Sequence, residues 1–386
     1  ISPNEAVGVF TSGNGPMNVT NNANVITIGD NSYGFVLRSG ATPERIQANG
    51  GTTGLGATTF VSNTPSVTLG NDAVYVYSAD SLGTVTNNTA ITTTGSNNYG
   101  LYSAGNVVNN ASGNMNLTSG VGNVGIYSIE NGNAKNYATI DVGSSDRDNK
   151  YYSIGMAAGY YNENTRRIEQ TGTVENHGTI NVNNDYGIGM YAVGKNSIAR
   201  NQGTIKLAAD GATGMYLDEK AIGYNDGLIT TEGSPKKVIG VVVQNGATLW
   251  NNGTIHIDSP NGYAIVRLNG GIVKNYGTIV LGSGADKEQT FKQPSGKAIG
   301  GIAIKEPDKG TTEAKIYANG VLVTPETISS PIGYNPNLQF SSEIGMYIDT
   351  LRGTNPIMGL QNVTNKADLI LSLIHISEPT RLRRIS

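Results

Sequence analysis

The chain has 386 residues, 37% of them hydrophobic and 14% charged, with a formal net charge of −3 and no cysteine. That excludes a disulfide framework and thiolate metal sites, and it argues against nucleic acid, since no basic stripe runs along the sequence. Glycine, at 52 residues, is close to twice the average usage of ~7%.

Low hydrophobicity alone would suggest disorder, but disorder also needs high net charge and few β-branched residues. Here Ile, Val and Thr recur in register. Tyr outnumbers Phe 20 to 5, as suits rings held half-exposed with a hydroxyl in water. No run reaches the ~18–20 apolar residues of a membrane-spanning helix. The sequence starts at Ile1 with no basic-then-apolar leader, so it reads as an internal piece of a longer protein.

In chain order, residues 1–70 carry a blurred repeat. Val25-Ile26-Thr27-Ile28 and Val67-Thr68-Leu69 alternate like strands, and the small residues from Ala48 to Gly56 read as a flexible loop. From Ala73 two phrases alternate. One is Asn87-Asn88-Thr89-Ala90-Ile91, repeated loosely at Asn136 and Asn225 and cleanly from Asn176, Asn201, Asn251 and Asn275 as Asn-x-Gly-Thr-Ile. The leading asparagines from Asn176 stand 25, 24, 26 and 24 residues apart. Asn and Gly tolerate positive φ, so this phrase reads as a tight turn, and the Thr-Ile after it opens a strand. Ile180, Ile205, Ile255 and Ile279 then fall on one inward face, with Asn181, Lys206 and His256 outward.

The second phrase is Gly100-Leu101-Tyr102, Gly125-Ile126-Tyr127, Gly189-Met190-Tyr191, Gly214-Met215-Tyr216 and Gly240-Val241-Val242. Two phrases per period imply at least two strands per repeat. The expectation is all-β: a right-handed parallel β-solenoid with about 24–26 residues per coil. The step from Asn136 to Asn176 is 40 residues, so loops protrude near 143–170, shared between Gly143–Tyr152 and Gly159–Gln170. Further insertions are expected near 283–298 and 305–340, the latter rich in the prolines that a ladder rejects. Glu343-Ile344-Gly345-Met346-Tyr347 restores the second phrase. One β-helical segment over 1–370 results.

Residues 371–386 break this grammar. Leu371 to Arg381 matches the in-frame translation of a transposase adapter used in sequencing libraries, so 371–386 reads as an artefact rather than a basic tail.

Candidate chemistry is sparse. His177 fills the variable position of the turn phrase, His256 is an outward strand residue, and His375 lies in the suspect tail, so neither a Ser-His-Asp arrangement nor a zinc site is supported. Asp146-Arg147-Asp148-Asn149 offers oxygen ligands without the spacing of a calcium loop. No residue is assigned as catalytic, cofactor-binding or metal-binding. The chain is expected not to be an enzyme and to need no cofactor.

With these phrases in hand, residues 70–360 resemble passenger domains of type V secretion autotransporters, above all the very large adhesins of fusobacteria. The resemblance implies export to the cell surface and outer membrane, binding of a host-cell or bacterial surface protein or glycan, and membrane attachment only through a C-terminal barrel outside this fragment. Two other classes stay open. A polysaccharide-degrading enzyme on the same fold would show Asp, Glu or Arg clustered on one face across adjacent coils, and a passive stalk would be featureless.

Overall fold

The computed structural model describes residues 6–162, 164–260, 262–281, 303–305, 315–318, 321–323, 343–346 and 368–371. Three parallel sheets run along it, of 10, 12 and 10 strands. The chain visits them in rotation. Tyr99–Ser103, Asn106–Asn109 and Met115–Asn116 take one coil through the first, second and third sheets, and Val124–Ser128, Gly132–Asn136 and Thr139–Val142 lie on the next. The result is an all-β parallel solenoid of about 11 turns with almost no helix. At ~4.8 Å per turn it is roughly 50 Å long.

Alternation explains the core. Ile140, Ile180, Ile205, Ile229, Ile255 and Ile279 are successive partners in the third sheet, and each is 0% exposed. Burying such a side chain stabilises by ~1.5–3 kcal/mol, and the repeat supplies one per coil. The inward stack expected from Ile180, Ile205, Ile255 and Ile279 is therefore present.

The turn phrase behaves differently from its sequence reading. Its leading asparagines are strand-final residues of the second sheet, fully buried. Their carboxamides form a ladder: each Nδ2 donates to the Oδ1 one coil onward, from Asn87 through Asn109, Asn136, Asn176, Asn201, Asn225 and Asn251 to Asn275, at 2.7–3.0 Å. Nor does the glycine adopt positive φ. A Cβ on Gly203, Gly253 or Gly277 would lie 2.1 Å from the carbonyl oxygen of the glycine one coil earlier. Glycine is required here because adjacent coils touch, not because the chain reverses.

One element escapes the sequence reading. Pro43–Asn49 is a short helix with Thr42 as N-cap and a left-handed Gly50 (φ 68°) at its end, so only the residues after it form the loop expected over 48–56. Buried Asp80 holds this excursion: Oδ1 accepts from the Ala41 and Leu82 N–H groups at 3.0 Å, and Oδ2 from the Thr58 N–H at 2.6 Å.

The insertion expected near 283–298 lies outside the described residues. Within 305–340, Lys315–Ala318 and Val321–Val323 form an antiparallel sheet with Ala303–Lys305, and the remainder lies outside the described residues. Glu343–Met346 does resume the solenoid, but in the second sheet, beside Ile272–Asn275, although its residues echo the phrase of the first. Asp368–Leu371 pairs onto it. The expected artefact lies outside the described residues from 372 onward.

Candidate functional site

The second phrase places tyrosines on the outer surface of the first sheet. In each strand the residue after a buried pair (Tyr75-Val76, Gly100-Leu101 and Gly125-Ile126) turns outward, which sets Tyr77, Tyr102 and Tyr127 on three successive rungs. Their ring centroids are 5.1 and 4.9 Å apart, and Tyr99 stands 5.6 Å from Tyr102 and 5.9 Å from Tyr127. Such pairs add ~0.5–1.5 kcal/mol each beyond area burial. Tyr191 and Tyr216 continue the column at 5.9 Å.

These phenols are half-buried. Burial pushes Tyr77, Tyr99, Tyr102 and Tyr127 above the ordinary tyrosine value, and neighbouring phenols add to the rise for Tyr99, Tyr102 and Tyr127. Tyr216 is pushed up to about 12 by burial and then by Asp218. These phenols are therefore uncharged at neutral pH. Tyr127 Oη donates to the Gly159 carbonyl at 2.8 Å, and Gln244 Nε2 donates to Tyr216 Oη at 2.8 Å.

Between Tyr127 and Tyr191 the column carries Ala157. Its strand, Ile154–Ala158, has an excursion at each end. In the first, Asp146 and Tyr151 exchange backbone hydrogen bonds at 2.9 Å. Asp146 accepts from the Asn149 side chain at 2.7 Å and its N–H at 3.1 Å, and this bonding holds its carboxyl below the usual range. The oxygens weighed as calcium ligands thus close their own turn. Among the described residues no three His, Cys, Asp or Glu side chains converge on a metal position.

The second excursion is an antiparallel hairpin of Tyr160–Asn162 with Arg167–Gln170. Gln170 Nε2 donates to Glu130 Oε1 at 2.7 Å while the Glu130 N–H donates to Gln170 Oε1 at 3.1 Å, which anchors its base to the preceding coil. Tyr151, Tyr152 and Tyr160 are 43–46% exposed. Exposed tyrosines therefore stand on both sides of the Ala157 rung.

A second surface feature lies on the outer face of the second sheet. Lys135, Glu175, Arg200, Tyr224, Trp250 and Lys274 occupy one column over six coils. Tyr137, His177 and Tyr276 lie two residues on from three of them. His177 stacks on Tyr137 at 4.8 Å and lies 3.3 Å from Glu175 Oε2. Arg200 contacts Asp226 at 2.8 Å and lies over Tyr224 at 4.1 Å. Lys274 lies over Trp250 at 4.3 Å, and Trp250 stacks on Tyr276 at 5.9 Å. His177 thus occupies the turn position expected of it, His256 is an outward, half-buried strand residue, and His375 lies outside the described residues. Sequence reading missed both columns as units, because each joins residues a full coil apart.

The family model for the BigA third pectate lyase-like domain matches residues 103–227 and again residues 206–308. No curated protein and no solved structure matches the chain. The family match indicates a bacterial surface protein built on a β-helix. Its two stretches together run over more than half of the sequence, and the chain therefore belongs to the BigA third pectate lyase-like domain family.

Proposed function

We propose that the chain is an adhesive segment of an exported β-helical passenger, and that the tyrosine face of the first sheet, with its two excursions, is the contact surface. The observation that carries this reading is the coincidence of both excursions with the two ends of one strand, Ile154–Ala158, inside a column of tyrosines. Loops on a rigid scaffold commonly carry binding. Tyrosine supplies contact area at a low entropic cost, and it is enriched where interfaces concentrate their energy. The partner is a protein or glycan of a host-cell or bacterial surface. Attachment to the outer membrane would come from a barrel outside these residues, as in the autotransporters the sequence resembles.

The test is display of the chain on a bacterial surface, with the 146–151 turn and the 161–168 hairpin each replaced by a short Gly-Ser link. Adhesion to the target cells should fall to background while circular dichroism stays that of a β-solenoid. Full adhesion by the doubly shortened chain sinks the assignment to these excursions.

A second reading, an enzyme acting on polysaccharide, draws on the family description and on Lys135, Glu175, Arg200 and Asp226. These are charged groups of adjacent coils on one face, the feature that distinguishes such a site. Their mutual pairing disfavours it, since Glu175 and Asp226 already face cations. Release of new reducing ends from cell-surface polysaccharides by the native chain, lost on Glu175→Gln, would establish it.

A further inference from the structure

The triplet Asn-x-Ser/Thr, an acceptor motif for N-linked sugars, occurs at Asn18, Asn87, Asn110, Asn116, Asn252 and Asn362. In an asparagine-rich chain the motif alone means little, and the fold separates its copies. Asn87 is fully buried, its amide spent on Asn109 Oδ1 and the Thr89 carbonyl. The amide of Asn110 donates to Asn88 Oδ1, and that of Asn252 to Asp226 Oδ1. Asn18 lies inside the strand Met17–Asn21, with no hydrogen bond from Thr20. Asn362 lies outside the described residues.

Asn116 differs from all of these. It is exposed at the end of Met115–Asn116, on the outer face of the third sheet. Its Oδ1 accepts from Thr118 Oγ1 at 2.6 Å and from the Thr118 N–H at 3.2 Å. Its Nδ2 has no partner among the described residues. The rung above offers Asp141, but Asp141 Oδ1 is taken by Asn181 Nδ2 at 2.8 Å. The rung below offers only exposed Thr92. Between the two residues of the turn, Leu117 is 0% exposed and its N–H donates to the Asp141 carbonyl at 2.9 Å, which fixes the turn to the core.

We infer that Asn116 is an acceptor site for N-linked glycosylation, its amide nitrogen presented to an activated sugar by the Thr118 hydroxyl. An amide nitrogen is a poor nucleophile because its lone pair is delocalised into the carbonyl. Two donors on Oδ1 stabilise negative charge there, so loss of a proton from Nδ2 becomes easier. In the transfer, a base of the glycosyltransferase takes that proton and Nδ2 attacks the anomeric carbon of a glycosyl diphosphate. The N–C bond forms as the C–O bond to the diphosphate breaks, and the diphosphate leaves with the electron pair. A sugar on Asn116 projects into solvent and leaves the coil intact, whereas one on Asn87 would break the buried ladder.

The test incubates the folded chain with a soluble asparagine glucosyltransferase and UDP-glucose, with the urea-unfolded chain as the control for enzyme activity, and maps hexose by peptide mass spectrometry. Hexose should enter at Asn116 about tenfold faster than at Asn18, Asn110 or Asn252, the worth of about one hydrogen bond to the reacting amide. Thr118→Val should lower the Asn116 rate by about the same factor, and Thr118→Ser should retain it. Equal rates at the other triplets in the folded chain, no hexose at Asn116 while the unfolded control is modified, or an unaffected Thr118→Val would each overturn the assignment.

Discussion

Asn176 Nδ2 donates to Asn201 Oδ1 at 3.0 Å, one coil onward, and both side chains are fully buried. The same relation repeats from Asn87 to Asn275, always with the donor on the earlier coil. A buried carboxamide without partners is costly, so each rung is tolerated only because its neighbours supply both halves of the pair. Replacing Asn201 by Ala leaves the Asn225 Oδ1 acceptor without its donor and takes from Asn176 Nδ2 its best partner, with only the longer bonds to the Gly178 and Thr204 carbonyls remaining. The expected cost is ~1–3 kcal/mol for the one unsatisfied acceptor, read as a lower urea midpoint at unchanged m. Asn252→Ala, on the exposed side of the same turn, should cost less than ~1 kcal/mol. Equal costs would mean that the ladder contributes nothing beyond turn preference.

Thr89 and Ala138 hold the third position of the phrase in earlier coils, but Gly203 is predicted to be irreplaceable for a steric reason. A Cβ on Gly203 would stand 2.1 Å from the Gly178 carbonyl oxygen, and Gly203 is not at positive φ. Gly203→Ala should destabilise by more than ~2 kcal/mol, because coils must separate to admit the methyl. Gly15→Ala, with open space around it and no positive φ, should be neutral. Thermal melts of the two variants decide the point.

Asp80 is expected to control the excursion that contains the helix Pro43–Asn49. Its carboxylate satisfies three backbone N–H groups, those of Ala41, Leu82 and Thr58. Asp80→Ala leaves all three unpaired, those of Ala41 and Thr58 in buried positions. Protease cleavage should then appear first within residues 43–58, before global unfolding. Cleavage that begins elsewhere would show that the excursion is held by other contacts.

The tyrosine face predicts behaviour in alkali. Tyr102 and Tyr127 have values raised above their unfolded ones, and Tyr216 lies at about 12. The folded state therefore keeps protons that the unfolded state releases above ~10. Stability that is fully present below pH ~10 should fall steadily above it. Phenolate absorbance from the column should appear above the ordinary tyrosine value and together with unfolding. Tyr102→Phe with Tyr127→Phe should flatten the alkaline loss. A single-stage titration at the ordinary tyrosine value would show that the rings are freely solvated.

The period and the isoleucine stack follow from local rules: alternation sets which face is buried, and a fixed repeat length places like on like. The sequence implied only at least two strands per coil, where the structure has three. Ile180 and Ile205 could be paired from sequence because a one-residue slip would expose them and the 25-residue step sets the rest of the register. The helix Pro43–Asn49 also carried a signal in Thr42, Pro43, Glu44 and Gly50, hidden by the search for strands around it. The burial of Asn176 was not legible, since asparagine has the same turn preference whether exposed or enclosed. Only the stacked coil supplies the second carboxamide that makes enclosure favourable. Likewise Tyr102 and Tyr127, and Arg200 and Asp226, are separated by whole coils in sequence. Their contacts were decided by the parallel register, which brings residues about one period apart to within one strand spacing.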